Sequence, residues 1–215
     1  MAETAPHGPA AIVAPYDDRR FDEVTAMLAR AFVDDPLYRW FFPEDRSRLR
    51  RVGAFVSGEL RIVSAVGRVD LAVDSAGRLL GAALWALPGR YPFPKGISTR
   101  VMATAMPRMG LRAAAKLPKM LRVDKAHPAT EHWYLATIGV DPSAQGRGVG
   151  TTLVNTTATL ADSQDIPIYL ETFNPANPAY YRRLGFTDQE HIDTGDLPPF
   201  WTMLRPVGGA DPASS

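Results

Sequence analysis

Apolar positions along this chain fall into runs of two spacings, about 2 residues and about 3.6, and the change from one to the other marks off the elements. Residues 11–16 (AIVAPY) predict a short first strand. Asp17 and Asp18 then offer capping oxygens to a helix reaching residue 32, in which Val24, Met27, Leu28 and Ala31 share a face. Residues 34–45 (DDPLYRWFFPED) read as a proline-bounded aromatic loop, and 46–65 as a second helix. Two apolar runs, 68–74 and 79–87, flank the turn Ser75-Ala76-Gly77-Arg78 and predict a hairpin. Residues 91–128 read as broken helix, interrupted by Pro107, Gly110 and Pro118. Residues 133–140 (WYLATIGV) give the clearest strand, followed by a helix over 148–162 and a strand over 166–172. A short helix over 176–184 and closing strands at 186–192 and 200–204 complete the chain. Strands and helices alternate only in the second half, which predicts an α/β fold, α+β in arrangement, with helices on the faces of a mixed sheet.

Composition narrows the function without naming it. The 215 residues suffice for one domain with a sizeable core, expected over 11–206, and neither a linker nor a repeat interrupts it. The small, Pro/Gly-rich ends, 1–10 and 207–215, are expected to lack fixed structure. A formal net charge of +1 gives no general reason for a nucleic-acid or membrane-surface partner. Zero cysteines exclude disulfides, thiolate metal sites and a cysteine nucleophile, and fit a reducing cytoplasm. No uncharged apolar stretch approaches the roughly 20 residues that span a bilayer, and the N-terminus lacks the basic start and apolar run of a signal peptide.

The chemistry concentrates in IGVDPSAQGRGVGTTLV, residues 138–154. A strand ends at Val140, Asp141-Pro142 turns the chain, and Gln145-Gly146-Arg147-Gly148-Val149-Gly150 opens a helix. Alternating glycines remove Cβ atoms where backbone must approach a ligand. Loop amides and the positive helix end then make an anion site to which Arg147 adds charge, and a diphosphate suits it. A dinucleotide fingerprint would need glycine where Thr151 stands, and no Gly-Lys-Ser/Thr triplet of a P-loop is present.

The pattern Q-x-x-G-x-G instead resembles the acyl-CoA signature of the GNAT N-acetyltransferase family. A second stretch, YLETFNPANPAYYRRLGF at 169–186, is similar to that family's strand followed by N-x-x-x-Y-x-x-L-G-F. Residues 133–140 and Leu170-Glu171-Thr172 resemble in particular its puromycin N-acetyltransferase-like members. The resemblance runs from about Trp133 to Phe186 and, more faintly, to the ends. It implies a single GNAT acetyltransferase domain over 11–206, with two central parallel strands that splay around an acyl thioester. It also implies acetyl or short-acyl transfer from acetyl-CoA to a primary amine of a small molecule, without a metal, by a monomer or homodimer. Ile138, Gly139 and Val140 would offer backbone to the pantetheine arm, Gln145 to Gly150 would hold the diphosphate, and Asn177 would contact pantetheine. Tyr181 would protonate the departing thiolate, Tyr180 being expected to point elsewhere because adjacent side chains diverge.

Other roles stay open. Glu171, alternating with Leu170 and Thr172 along its strand, is the first choice for base or amine anchor, against a plain salt-bridged carboxylate. Glu131 and His132 come second, and His127 reads as a loop residue. Tyr38, Trp40 and Phe41 either pack in the core or wall the acceptor pocket, and Asp34 and Asp35 either hold a cation or cap a helix. Residues 95–125 carry eight Lys or Arg and one acid, Asp124. Arg108, Arg112 and Lys116 would share a face of one helix, either solvated or docking an anion. The alternatives to acetyl-CoA chemistry are a GNAT-fold transferase fed by another donor, such as aminoacyl-tRNA, and a non-catalytic CoA-binding module.

Overall fold

The computed structural model describes residues 11–209. Residues 1–10, expected to lack fixed structure, and 210–215, part of the 207–215 tail expected to do the same, lie outside the described residues, whereas 207–209 of that tail are ordered. Strand β1 (Ile12–Pro15) leads through a 3₁₀ turn to helix α1 (Phe21–Phe32), with Asp17 accepting from the Arg19 amide at 2.9 Å. The expected aromatic loop is instead a helix, α2 (Pro36–Phe41). Asp35 caps it by accepting from the Leu37 amide at 2.9 Å, and Pro36 fills the first helical position, where a missing N–H costs nothing. Helix α3 (Asp45–Val66) precedes the hairpin of β2 (Arg68–Val73) and β3 (Leu79–Ala86).

The basic segment folds as α4 (Lys95–Met109), α5 (Leu111–Ala114) and α6 (Leu121–Lys125). Gly110, at φ 90°, separates α4 from α5, so Arg108, Arg112 and Lys116 do not share one helix. The second half runs β4 (Trp133–Val140), α7 (Val149–Ser163), β5 (Ile168–Thr172), α8 (Asn177–Arg182), β6 (Thr187–Ile192) and β7 (Phe200–Arg205). No helix among the described residues is long and apolar enough to cross a membrane.

The seven strands form one mixed sheet in the order β1-β2-β3-β4-β5-β7-β6. One core joins α1, α2, α3 and α4 to the hairpin through Leu28, Phe41, Val56, Leu60 and Leu84. A second joins α7 and α8 to the sheet through Leu153, Ala158, Leu170 and Tyr181. The C-terminal strand is tied to α7 by Arg205, which gives two hydrogen bonds to the Asp162 carboxylate at 2.7 and 2.9 Å. Asp162 also accepts from the Gly208 amide at 2.8 Å, so residues 207–209 of the C-terminal end form a turn against the helix.

β4 and β5 are the parallel pair, and they pair only through Trp133 with Ile168 and Tyr134 with Tyr169. Beyond Tyr134 they separate, which is the splay the resemblance implies. A β-bulge lies at the same point: Leu84 pairs with Thr137 and Trp85 with Leu135, leaving Ala136 as the extra residue. A bulge bends its strand and strengthens its twist. Past it, Ile138 and Val140 keep partial exposure while Gly139 turns to α1.

Gly139 lets α1 approach this strand. A Cβ there would lie 2.6 Å from Leu28 Cδ2 and 3.3 Å from both Ala31 Cβ and Phe32 Cε2, and Leu28 is fully buried. Gly53, inside α3, has its nearest neighbour 3.8 Å from the same construction. Gly139→Ala is therefore expected to destabilise the fold by about 1–3 kcal/mol through overpacking. Gly53→Ala should instead stabilise it by roughly 0.5–1 kcal/mol, the helix-propensity difference. Urea unfolding of the two variants checks the opposite signs.

Candidate active site

The glycine loop forms where β4 hands the chain to α7. Asp141 receives Arg30 of α1 at 2.7 Å and the Ser143 hydroxyl at 2.6 Å, and it accepts from the Ser143 amide at 3.0 Å. Arg30 first, then Ser143, lowers its carboxyl to about 2. The loop is thus anchored before its glycines begin. Gly146 and Gly148 adopt φ of 75° and 79°, and a Cβ on either would meet nothing within 4 Å. Positive φ makes glycine fit there, and the space beyond the loop is open. Gly148 precedes α7 with no side-chain cap, so the first-turn N–H groups face that space.

Gly150 serves a different purpose. A Cβ there would lie 2.8 Å from the Tyr180 hydroxyl, so the missing atom makes room for that phenol. Arg147 is exposed beside the loop, and Val149 buries its side chain, leaving its backbone toward the loop. Gln145 bends back to donate to the Val140 carbonyl at 3.3 Å.

Two adjoining cavities occupy the splay. The outer, about 400 Å³, is bordered by Val140, Gln145, Gly150, Asn174 and Tyr180. The inner, about 130 Å³, is bordered by Tyr38, Phe55, Glu59, Thr137, Glu171 and Phe173. Phe32, Asp35, Ile138, Asn177 and Tyr181 line both, so they form one cleft from the glycine loop to a pocket holding two carboxylates. A larger cavity of about 650 Å³ lies among α1, α3 and α4 and shares no lining residue with this cleft.

Contrary to the divergence expected of neighbours, Tyr180 and Tyr181 both line the outer cavity, their rings 5.1 Å apart and edge-on. α8 is a short helix whose end points across the cleft, so consecutive side chains both reach it. Tyr181 is the deeper, 5% exposed, and burial first, then the neighbouring Tyr180 and Asp35, pushes its phenol well above the ordinary value. It therefore stays protonated as a donor. Asn177 donates to Thr172 Oγ1 at 2.9 Å, which fixes the amide at the join of the cavities.

In the inner pocket Glu171 is nearly buried, its side chain 7% exposed. Tyr134 donates its hydroxyl to Oε1 at 2.8 Å, and Oε2 is buried with no hydrogen-bond partner. Such an atom costs about 1–3 kcal/mol unless a ligand satisfies it. Glu59 of α3, which the sequence reading did not single out, lies in the same pocket. Its Oε2 accepts from Thr137 at 3.2 Å and from Tyr38 at 3.4 Å. Burial raises its carboxyl to about 7, helped by the charge of Glu171 and opposed by the Thr137 and Tyr38 hydrogen bonds. Its helix spacing places it on the sheet-facing side, but nothing in sequence shows that the core opens there.

Of the expected acceptor wall, Tyr38 lines the pocket, while Trp40 and Phe41 do not. Helix α2 turns Phe41 into the core against Phe42 and Phe55. Trp40 packs under Lys116, whose ammonium sits 4.7 Å from its ring. Asp35 caps α2 and also lines the cleft, burial raising its carboxyl. Glu131 is exposed outside the pocket, whereas His127 is a loop residue that turns inward behind Glu171. Five of the basic residues have partners within the chain, Arg108 reaching the Thr104 carbonyl at 2.8 Å. Arg112 meets Glu44 at 2.9 Å, Lys116 the Trp40 carbonyl, Lys119 the Asp196 carbonyl at 3.2 Å, and Arg122 the Asp196 carboxylate. Among the described residues no cluster of His, Asp and Glu is arranged to hold a metal ion.

Residues 110–186 match the Acetyltransferase (GNAT) family. The mycothiol acetyltransferase of Mycobacterium leprae is 40% identical over 81 residues, 34% of this chain and 25% of that protein. The chain spans about a quarter of the length of the curated relatives it matches. Among solved structures, a Corynebacterium glutamicum protein described as histone acetyltransferase HPA2 and related acetyltransferase superposes with a TM-score of 0.71. It is 28% identical, and the match covers 94% of this chain and 98% of that one. A phosphinothricin acetyltransferase from Sinorhizobium meliloti, solved with AcCoA, superposes at 0.55 with 16% identity, covering 95% and 92%, and shares the fold.

The raised carboxyl of Glu59 has a thermodynamic consequence. Between its ordinary 4.5 and its folded value of about 7 the native state holds more protons than the unfolded chain, so stability falls as pH rises through that window. Glu59→Gln keeps an acceptor for Tyr38 and Thr137 but removes the charge. Its gain in unfolding free energy over the parent should be near zero at pH 4 and grow to at most about 3 kcal/mol at pH 8. Partial exposure through the cavity caps that figure. Denaturant midpoints at the two pH values measure it.

Proposed function

We propose that this chain, which carries a GNAT-family acetyltransferase domain, moves an acetyl group from acetyl-CoA to the primary amine of a small molecule inside the cleft between β4 and β5. The observation that carries the proposal is the unpartnered Glu171 Oε2, in a pocket continuous with an open glycine cradle.

The cradle fits the donor. Gly146 and Gly148 leave open space over uncapped amides, and Gln145, Arg147 and the backbones of Val149 and Gly150 border it, which suits a diphosphate. Along β4 past Tyr134, the edge facing β5 has no strand partner, so Ile138 and the Val140 amide offer free backbone groups to a pantetheine arm, while Gly139 pairs with Ala82 of β3 and gives the strand its close packing on α1. Asn177 stands where that arm would enter the inner pocket. The CoA thioester supplies the activated acyl group.

The pocket's own residues do the rest. An acceptor enters as an ammonium, drawn by Glu59 and Glu171, with its carbon body against Phe55, Tyr38 and Phe173. About 130 Å³ admits a small apolar or aromatic amine. Glu171 Oε2 takes the ammonium proton and frees the nitrogen lone pair, while Glu59 holds the compensating charge. The amine attacks directly, because the chain has no cysteine to carry the acyl group. Tyr181, kept protonated by burial, gives its proton to the departing sulfur as the C–S bond breaks, and takes one back from the nitrogen as the second N–H bond breaks and the amide forms.

Four measurements test this reading. Titration calorimetry should show acetyl-CoA binding, and phenethylamine with acetyl-CoA should release free CoA thiol, detectable by a disulfide dye. Tyr181→Phe should lower kcat about 10²-fold while leaving acetyl-CoA affinity unchanged, with Tyr180→Phe losing far less. Because ammonium capture needs ionised Glu59, kcat/KM should climb with pH through a limb near 7, and Glu59→Gln should abolish that limb. An absence of acetyl-CoA binding would overturn the assignment at its root.

A further inference from the structure

A proton taken up by Glu171 in a buried pocket needs a place to go, and the groups behind that carboxylate form one. His127, in the loop before β4, turns its Nε2 to 3.6 Å from Glu171 Oε1, within ion-pair range and beyond a hydrogen bond. That Nε2 is buried without a hydrogen-bond partner. Its other nitrogen, Nδ1, lies 3.3 Å from His132 Nε2, and His132 Nδ1 lies 2.7 Å from the Thr130 carbonyl.

Hydrogen-bond direction fixes the tautomers along this line. A carbonyl can only accept, so His132 Nδ1 carries a proton. Burial, more than the neighbouring His127, holds His132 below the ordinary histidine value, so its Nε2 is an acceptor. His127 Nδ1 must then be the donor, which leaves its Nε2 as the atom that takes or gives a proton opposite the carboxylate.

The surroundings of His127 suit a cation. Tyr91 stacks on the ring at 4.1 Å with the planes 16° apart, and Tyr134 and Tyr169 stand against it at 4.5 and 4.6 Å. Tyr91 in turn gives its hydroxyl to Asp124, placing a negative charge behind the stacked ring. Aromatic faces stabilise a desolvated cation, as does the carboxylate on the remaining side.

We infer that His127 is a proton store for Glu171, and that His132, held by the Thr130 carbonyl, is the positioning residue that keeps the receiving nitrogen aimed at the carboxylate. The inference rests on the acyl-transfer reading, in which Glu171 receives the proton. The amine N–H bond breaks and an O–H bond forms on Glu171. Rotation of the carboxyl about its terminal torsion, which is broad for glutamate, brings that proton to His127 Nε2. The O–H bond then breaks as the N–H bond forms, and the positive charge of the ammonium ends on the imidazolium. Glu171 is ionised again for the next acceptor, and the stored proton passes to water once the product leaves. His127 and His132 thus act through Glu171 without touching the acceptor.

The test joins a spectrum to kinetics. Long-range proton–nitrogen correlation on the full chain labelled with ¹⁵N-histidine reads each ring's tautomer without turnover. His132 should appear neutral with its proton on Nδ1, and His127 should gain its second proton on Nε2. With acetyl-CoA and phenethylamine, His132→Leu should reduce kcat by about tenfold at unchanged KM, and His132→Gln should recover most of it, because its amide oxygen can still accept from His127 Nδ1. Circular dichroism of both variants separates this effect from misfolding. A neutral His127 protonated on Nε2, or equal kcat in His132→Leu, His132→Gln and the parent, would overturn the store. If acyl transfer itself were wrong, the expected spectrum would persist while the parent released no CoA.

Discussion

Two parallel strands that stop pairing after two residues set the terms for everything else in this molecule. Beyond Tyr134 the β5-facing edge of β4 has backbone groups without a strand partner, and unpaired backbone is tolerated inside a fold only where something else satisfies it. The bulge at Ala136 turns the strand away, α1 closes on its far side through Gly139, and α8 roofs the gap with two tyrosines. The cleft is what remains between these constraints. Its walls come from both cores, so neither half of the chain could form it alone.

Inside the cleft the electrostatics are arranged by scarcity of water. Glu59 and Glu171 share a small pocket with aromatic walls, and one of the two is pushed toward neutrality. The hydroxyls of Thr137, Tyr38 and Tyr134 meet part of the hydrogen-bonding need of the two carboxyls, and burial of what is left unmet favours the neutral form. The outer cavity is lined by Gln145, Asn174 and Asn177 together with Asp34 and Asp35, and the uncapped start of α7 and the exposed Arg147 lie beside it on the glycine loop.

The sequence shows this arrangement unevenly. The strand at 133–140 and the helix after it follow from apolar spacing and the glycine loop, and the structure gives the strand the same bounds. Gly146 and Gly148 carry the open loop expected of them, whereas the reason for Gly150 is a contact with Tyr180, thirty residues away in sequence and invisible to local pattern. The run 34–45 misleads because Pro36 reads as a breaker when it in fact opens a helix behind an Asp cap. Glu59 looks like any carboxylate on an amphipathic helix, and His127 like any loop histidine. What distinguishes them is the splay, a property of two strands whose paired residues lie 35 positions apart, which no spacing within either strand records.

The fit of Gly150 beneath the Tyr180 hydroxyl has a consequence for how this chain can change over time. With 2.8 Å between that oxygen and the place a Cβ would occupy, the two positions share one volume. A methyl group at 150 asks the phenol to move, and moving it disturbs the ring of Tyr181 packed edge-on against it. Drift at the first position is therefore permitted mainly after a smaller or differently shaped ring has appeared at the second. The glycine loop and the tyrosine helix, distant in sequence, are tied through that one shared volume.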